Sequence, residues 1–416
     1  MHYRIAIIIL FFNMVCRAQT VFEAQPNRAK EEQISQFENN LIKQGLQNVV
    51  VSIGDSMLHV TFENRRFRDE VDAVEKVAEI FQQQPTLSYQ ALEFTLQNRG
   101  IPTLSGVLQR ILIKENKDSS SVQLLPEQTR IADYNLWAQR FEQEKANNGN
   151  WRVEFEFEPQ LLLALGARRD PILHQINLLP SANIYLWRGA RLRFQGIIPI
   201  SDELKNPEDQ FWRPRLITLS QYVVLPKKIL LSATLGYFTE RRYGVALQAS
   251  KFFGAKSRFL LQANAAYTGF GSFPQVINVD TPTRGWQFSN LNYFNYSIAG
   301  EYIIPSWNLR VRLAYQKALL NRKVVRAEVW RQFDELQLGF FLYRFTGESN
   351  YGFIVNIPLF PKRYGKPGRI HFKTSRFFNY TYHTTQFYAT DFSAGEDLWR
   401  FYETLHPAFF NNRLQE

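Results

Sequence analysis

The sequence predicts a mainly β protein, a single transmembrane antiparallel β-barrel of about 12 to 14 strands behind a small periplasmic α+β domain. Three observations predict it. From Trp151 to His383, short segments alternate strictly between apolar and polar residues. Aromatic residues make up 15% of the chain, with 35 Phe, 19 Tyr and 8 Trp, as girdles at two membrane interfaces require. After the first 18 residues no apolar run is long enough for a membrane helix, so any span must be made of strands. The mean hydropathy of −0.30 agrees, because alternating strands average like those of soluble proteins.

The elements follow in order. Residues 1–18 read as a secretory signal peptide: a basic start, the apolar run Ile5 to Val15, then Cys16-Arg17-Ala18 with cleavage after Ala18. About eleven apolar residues are too few for an anchor. Lipidation at Cys16 is disfavoured because Val15 stands where a small residue is needed. With that cleavage the only cysteine is lost, and thiol and disulfide chemistry with it. Residues 19–30 form a polar leader. Residues 31–98 read as α-β-β-α-β: a helix with Ile34, Phe37, Leu41 and Ile42 on one face and Gly45 as its cap, a hairpin from Val49 to Phe62, a second helix from Asp69 to Phe81, and a strand from Ser88 to Gln97. Residues 99–150 read as a linker with a helix at Leu104–Ile113 and a turn-rich break at Asn116–Ser121.

The barrel is expected over residues 151–385. In Trp307-Asn-Leu-Arg-Val-Arg-Leu-Ala-Tyr315 the odd positions are apolar, while Arg310 and Arg312 share the other face, a period of two suited to a wall between lipid and water. Trp151–Phe157, Ile229–Phe238, Val245–Phe253, Phe259–Tyr267 and Tyr351–Ile357 alternate as cleanly. Less regular strands are Ile176–Trp187, Arg191–Ile200, Arg215–Leu225, Tyr293–Ile303, Arg322–Gln332, Leu336–Phe345 and His371–Tyr382. Short connections at Pro226–Lys228, Gly254–Lys256 and Pro305–Ser306 contrast with long ones at Ser201–Gln210 and Gly271–Gly285, the outer-membrane arrangement. A soluble sandwich or propeller would need neither that asymmetry nor so aromatic an outer face. In the tail, 386–416, Asp397 to Pro407 reads as a helical turn or two ending at a proline.

The hairpin Pro305–Tyr315 and the stretch Leu336-Gln-Leu-Gly-Phe-Phe-Leu-Tyr-Arg-Phe-Thr-Gly-Glu-Ser-Asn-Tyr-Gly-Phe-Ile-Val-Asn-Ile-Pro-Leu359, with the early α+β segment, resemble the YjbH family of exopolysaccharide or capsule biosynthesis outer-membrane proteins. The resemblance implies a role in secretion or assembly of an extracellular polysaccharide, without enzymatic activity. Relatives that are lipoproteins, or long enough for a second barrel, differ from this chain.

The net charge of +11 is spread along alternating strands, with no basic helix or stacking motif for nucleic acid. A lumen or rim attracting acidic ligands fits it better. Arg310, Arg312, Arg322, Arg326 and Arg344 are the lumen candidates for holding an acidic extracellular polysaccharide through bidentate contacts. The plainer reading has them neutralise Glu328, Asp334 and Glu335 in a narrow barrel. Glu154, Glu156 and Glu158 share one face of the first strand; a glycosidase pair is weighed against an acidic ladder paired with Arg191 and Arg193. Trp187, Trp212, Trp286 and Trp330 suit interface anchors more than a glycan site.

No catalytic residue, metal site or cofactor is expected. Ser375 and His371, the one serine–histidine pair of interest, lie about 13 Å apart on a strand. The expected partners are outer-membrane lipid, the polysaccharide, and periplasmic or outer-membrane polysaccharide-export proteins. A porin or substrate-specific channel and a barrel-wall lipid hydrolase are the alternatives.

Overall fold

A computed structural model describes residues 28–84, 87, 89–112, 120–141, 147–165, 172–204, 211–239, 241–254, 256–272, 287–317, 322–345, 347–384, 394 and 406–415. The signal peptide and most of the leader lie outside these residues.

The first unit is a five-stranded sheet with helices on both faces. Helix α1 (Arg28–Lys43) buries Phe37 and Leu41 and ends where Gly45 turns left-handed at φ +89°, a conformation glycine adopts without a Cβ penalty. Strands β1 (Gln47–Ile53) and β2 (Leu58–Glu63) form the expected hairpin. Helix α2 (Glu70–Gln82) is capped by Asp69, whose carboxylate accepts from the Val71 N–H at 2.9 Å. It lays Val71, Val74, Val77 and Phe81 on the sheet, and β3 (Ala91–Asn98) then runs parallel to β2.

Two elements correct the sequence reading. Residues expected as a linker continue the sheet as β4 (Ile101–Leu112) and β5 (Ser120–Ile131), so the order is β1-β2-β3-β4-β5 and the domain extends to α3 (Tyr134–Arg140). Leu104 and Leu108 lie four apart and mimic a helix face, but the β-branched Ile101, Thr103, Val107 and Ile111 favour extended backbone. Gly106 allows the close approach of Phe94, whose ring would meet a Cβ at 2.7 Å. Helix α3 covers the opposite face, its Trp137 indole N–H donating to Thr61 Oγ1 at 3.1 Å.

The second unit is a closed barrel of 13 strands: β6 (Arg152–Leu165), β7 (Ile172–Tyr185), β8 (Ala190–Asp202), β9 (Arg213–Leu225), β10 (Ile229–Phe238), β11 (Arg242–Phe253), β12 (Phe259–Ser272), β14 (Tyr293–Ile304), β15 (Leu309–Lys317), β16 (Lys323–Phe333), β17 (Leu336–Phe345), β18 (Glu348–Pro358) and β20 (Phe377–His383). Two-residue β13 (Gln287–Phe288) only extends the β12 hairpin. Sequential neighbours pair antiparallel throughout. An odd number forces one parallel seam, and there β6 meets β19 (Ile370–Thr374) and β20.

The expected single strand His371–Tyr382 is thus two. At the break Ser375 N–H turns to Phe157 O at 2.9 Å and Ser375 Oγ to Phe377 O at 2.9 Å, while Arg376 is drawn to Asp69. Alternation holds around the ring. Val311, Leu313 and Tyr315 are 40%, 60% and 40% exposed on the outer face, whereas Arg310 is buried inside.

Close strand packing is enforced at Gly236 and Gly244, which face each other across β10–β11 at φ +143° and +148°. A Cβ on Gly236 would sit 2.0 Å from Ile217 O. Gly236→Val is therefore expected to abolish the heat-modifiable, fast-migrating band of the folded barrel on a semi-native gel.

The domain packs against one end of the barrel, on the turns 186–189 and 226–228 and the connection 359–369. Gly189 N–H donates to Arg99 O at 2.8 Å, Lys228 Nζ to Ile131 O at 3.2 Å, and Arg68 N–H to Lys362 O at 2.8 Å. The tail supplies the wedge between the two units. Helix α4 (Pro407–Gln415) begins at the proline where the sequence reading ended a helix; most of Asp397 to Pro407 lies outside the described residues. Pro407 fits the first helical turn because its missing N–H needs no partner there. Phe410 enters the core of the α+β domain, and Phe409 enters the cluster closing the barrel with Ile101, Ile131, Tyr222 and Leu230.

The lumen and the domain junction as candidate functional site

The inner wall alternates guanidinium and carboxylate. Arg312 on β15 lies in register between Glu301 on β14 and Glu328 on β16. Arg326 pairs with Glu328, which also accepts from the Trp330 indole N–H at 3.3 Å. Arg310 lies in register with Trp330 and rests 5.7 Å from that ring and 5.6 Å from Phe409. Arg322 sits near the far rim, 5.9 Å from the inward ring of Phe345. Four of the five arginines singled out from sequence thus belong to the inner wall.

Arg344 does not. It shares the exposed face of β17 with Phe340 and Leu342, opposite buried Phe341 and Tyr343. Counting in twos from Phe341 places it outside; its nearness in sequence to the inward arginines concealed that.

Sequence reasoning missed Arg242. It is fully buried, with its guanidinium 3.5 Å above Phe270 and 4.3 Å from Tyr293. Parity would have found it, since Arg242 precedes inward Gly244, Ala246, Gln248 and Ser250 by steps of two. Of the tryptophans, Trp187 and Trp212 are exposed, Trp330 is buried inside, and Trp286 lies outside the described residues.

The tail occupies the lumen at its one described midpoint. Ala394 is buried, and its carbonyl accepts from Gln248 Nε2 and Asn264 Nδ2, both at 3.2 Å. Those two side chains project inward at mid-height of β11 and β12.

At the junction, Arg65 reaches from the domain over the Tyr185 ring at 4.1 Å and lies 3.4 Å from Glu63 and 3.5 Å from Glu154. Glu154 also takes Lys373 Nζ at 3.0 Å and the Tyr185 hydroxyl at 2.9 Å. Glu154 is therefore neutralised here by Lys373 and Arg65, two partners the sequence reading did not name, and Lys373 Nζ also lies 3.6 Å from Glu156. These groups line a polar cavity of about 230 Å³ with Glu70, Gln97 and Tyr364.

Asp69 binds Arg376 and Arg413, and Glu335 binds Arg68 and Lys362. Burial pushes the Asp69 carboxyl up, but the two guanidiniums outweigh it and hold the group below the usual carboxylate range. His371 Nε2 lies 3.1 Å from Gly365 O, and Ser375 Oγ donates to Phe377 O.

His406 ties the tail to the barrel turn. Its Nδ1 accepts from the Ala408 N–H at 3.2 Å and its Nε2 donates to Ser257 O at 2.9 Å, so the ring is neutral. Burial pushes its pKa down to about 4 from the ordinary 6.5. A depressed histidine contributes stability that is complete above pH 6.5 and lost as pH falls through about 4. Hydrogen exchange of α4, corrected for intrinsic rates, is therefore expected to accelerate between pH 6.5 and 4, and His406→Asn is expected to remove that step.

The family model described as YjbH, exopolysaccharide biosynthesis protein YbjH, matches residues 11–216. Over those residues the chain belongs to the YjbH family. The YjbH match covers the α+β domain, the first three barrel strands and the start of β9, so it rests on different residues from the hairpins at Pro305–Tyr315 and Leu336–Leu359. No curated protein matches the chain.

Among solved structures, the chain is similar to OmpT with loop L8 deleted, an outer membrane protein of Vibrio cholerae. That match has 11% identity and a TM-score of 0.27, covering 49% of this chain and 86% of that one. In-vitro folded OmpT from the same organism, in its trimer form, matches at 12% identity and a TM-score of 0.27, covering 49% and 81%. The barrel of this YjbH-family chain is established by its own strand pairing, its inward polar face and its outward apolar one.

Proposed function

We propose that this protein is a non-enzymatic outer-membrane β-barrel that assists export or assembly of an acidic extracellular polysaccharide, with its α+β domain in the periplasm. The observation that carries the reading is an inner wall bearing Arg242, Arg310, Arg312 and Arg326, paired with aromatic rings and flanked by carboxylates. Guanidinium groups bind carboxylates or phosphates of a polymer through two parallel hydrogen bonds, and ring faces bind sugar carbons. Family membership supports the polymer class.

The turns support the periplasmic placement of the domain. Connections 186–189, 226–228 and 334–335 at the domain end are short, and 203–212 at the other end is longer, as in outer-membrane barrels. The domain then meets polysaccharide-export proteins of the periplasm or outer membrane. A lipid hydrolase is not favoured, because His371 and Ser375 are each spent on a backbone carbonyl.

The test is surface polymer in a deletion strain carrying the full chain or Arg310→Gln/Arg312→Gln. Full rescue by the wild type with several-fold less polymer from the double variant, at equal amounts of folded barrel, is the expected result. Unchanged polymer in the deletion strain overturns the reading.

A further inference from the structure

The connection from β18 to β19 gathers positive charge at the domain end of the barrel. From Leu359 to Phe372 it reads Leu-Phe-Pro-Lys-Arg-Tyr-Gly-Lys-Pro-Gly-Arg-Ile-His-Phe, with four Lys and Arg residues and no carboxylate. The segment is tied down on both sides. Arg68 N–H donates to Lys362 O at 2.8 Å and Tyr364 N–H to Arg66 O at 2.7 Å, which fastens it to the domain. Val153 N–H of β6 donates to Arg369 O at 2.9 Å, which fastens it to the barrel.

Two of the four cations are engaged by the protein. Lys362 lies 3.3 Å from Glu335, and Arg363 donates to Gln44 Oε1 at 3.2 Å. Lys366 and Arg369 are exposed, and no ion pair engages either among the described residues. Arg66 adds to the same charge. Its side chain and the Pro367 ring both crowd Gly45, where a Cβ would meet them at 2.8 and 3.0 Å. Burial, and after it the Arg363 charge, lowers the Arg66 pKa from its ordinary value, so like charges are packed together here.

Beside these charges the outer wall is apolar and aromatic. Phe360 is 82% exposed, Trp151 70%, Phe372 62% and Ile370 59%. Ile370 is in register with Val153, and the Phe372 ring stacks on outward Phe155 at 5.2 Å, so β19 continues the lipid-facing surface of β6. Exposed Trp151, with exposed Trp187 and Trp307 on turns at the same end, sets the level of the membrane interface. Arg369 lies at that level, because its carbonyl meets Val153 two residues from Trp151. Cations at an aromatic belt, next to bare apolar side chains on a lipid-facing wall, suit the two halves of a charged amphiphile.

We propose that this surface docks an anionic phospholipid of the leaflet at the domain end, with its phosphate on Lys366 and Arg369 and its chains along Phe360, Ile370 and Phe372 on the outer wall. A phospholipid suits the surface better than a soluble polyanion, because the apolar half is continuous with the wall that already faces the bilayer. Only the naming of that leaflet as periplasmic rests on the function proposed above.

The test is native mass spectrometry of the full chain in detergent containing equal amounts of phosphatidylglycerol and phosphatidylcholine. The wild type is expected to retain phosphatidylglycerol several-fold over phosphatidylcholine. Lys366→Gln/Arg369→Gln is expected to lose that preference with its folded band on a semi-native gel unchanged, and Arg344→Gln, on the outer wall toward the opposite rim, to keep it. Equal retention of the two lipids by the wild type overturns the proposal and leaves the cations to a soluble polyanion. The same loss from Arg344→Gln also overturns it. Should the double variant not fold, a high-salt wash of the unaltered protein decides instead: the preference is expected to collapse, and its survival overturns the proposal. No polysaccharide enters the assay, so failure of lipid docking leaves the export reading intact.

Discussion

Asp69→Ala is expected to release the α+β domain from the barrel. This carboxylate caps α2, and it also binds Arg376 between the two closing strands and Arg413 of α4. Removing one partner of a buried ionic cluster leaves the others charged and unsolvated, at about 3–5 kcal/mol, and the lost cap adds about 1 kcal/mol. Against a typical domain stability of about 5–15 kcal/mol, that is a large share.

The measurement is limited proteolysis with thermal unfolding of the detergent-solubilised protein. The variant should show cleavage within residues 28–150 at protease levels that leave the wild type intact, with the barrel still heat-modifiable. Asp69→Asn separates the two roles, since an amide still caps the helix but cannot pair with two guanidiniums. It should show most of the effect. Unchanged protease resistance in both variants would show that the junction is held by apolar contacts alone.

The same cluster shows what sequence could and could not reveal. The barrel was legible because alternation is a local property: each strand reports its own face, and Arg310 and Arg312 declare theirs within seven residues. Helix α2 was legible down to its Asp69 cap for the same reason. The strand β4 was not, because burial on both faces erases the period of two, and Leu104 and Leu108 then fall at helical spacing; β5, interrupted by Pro126 and carrying exposed Gln123, Glu127, Gln128 and Arg130, lacks a clean alternation of its own.

The junction was invisible for a different reason. Asp69, Arg376 and Arg413 are brought together over 300 residues of chain, and nothing in the neighbourhood of any one of them names the others. The lumen arginines were found in part, since parity places Arg310, Arg312 and Arg326 inside but was not applied to Arg242 or Arg344. That β6 closes onto β19 and β20 in parallel follows from an odd strand count, which alternation cannot fix to within one strand.

Truncation after His383 is expected to convert a closed barrel into a conducting one. Eight strands enclose a space that side chains fill, and about 16 to 18 leave an aqueous channel; 13 strands lie between, with room for an extended segment of chain. That room is used by the tail, whose Ala394 is held by Gln248 and Asn264 at mid-height and whose Phe409 enters the apolar cluster at the domain end. In planar bilayers the full chain should show little conductance. The truncated chain should open steps in the porin range, selective for anions because Arg242, Arg310 and Arg312 then line open water. Arg310→Glu in the truncated background should shift the reversal potential toward cations. Phe409→Ala/Phe410→Ala, which keeps the whole tail but removes its anchors, should give brief, flickering openings. Equal conductance from full and truncated chains would mean that Ile101 and Ile131 of the domain seal the barrel without the tail, and the tail would then serve only to fasten the domain.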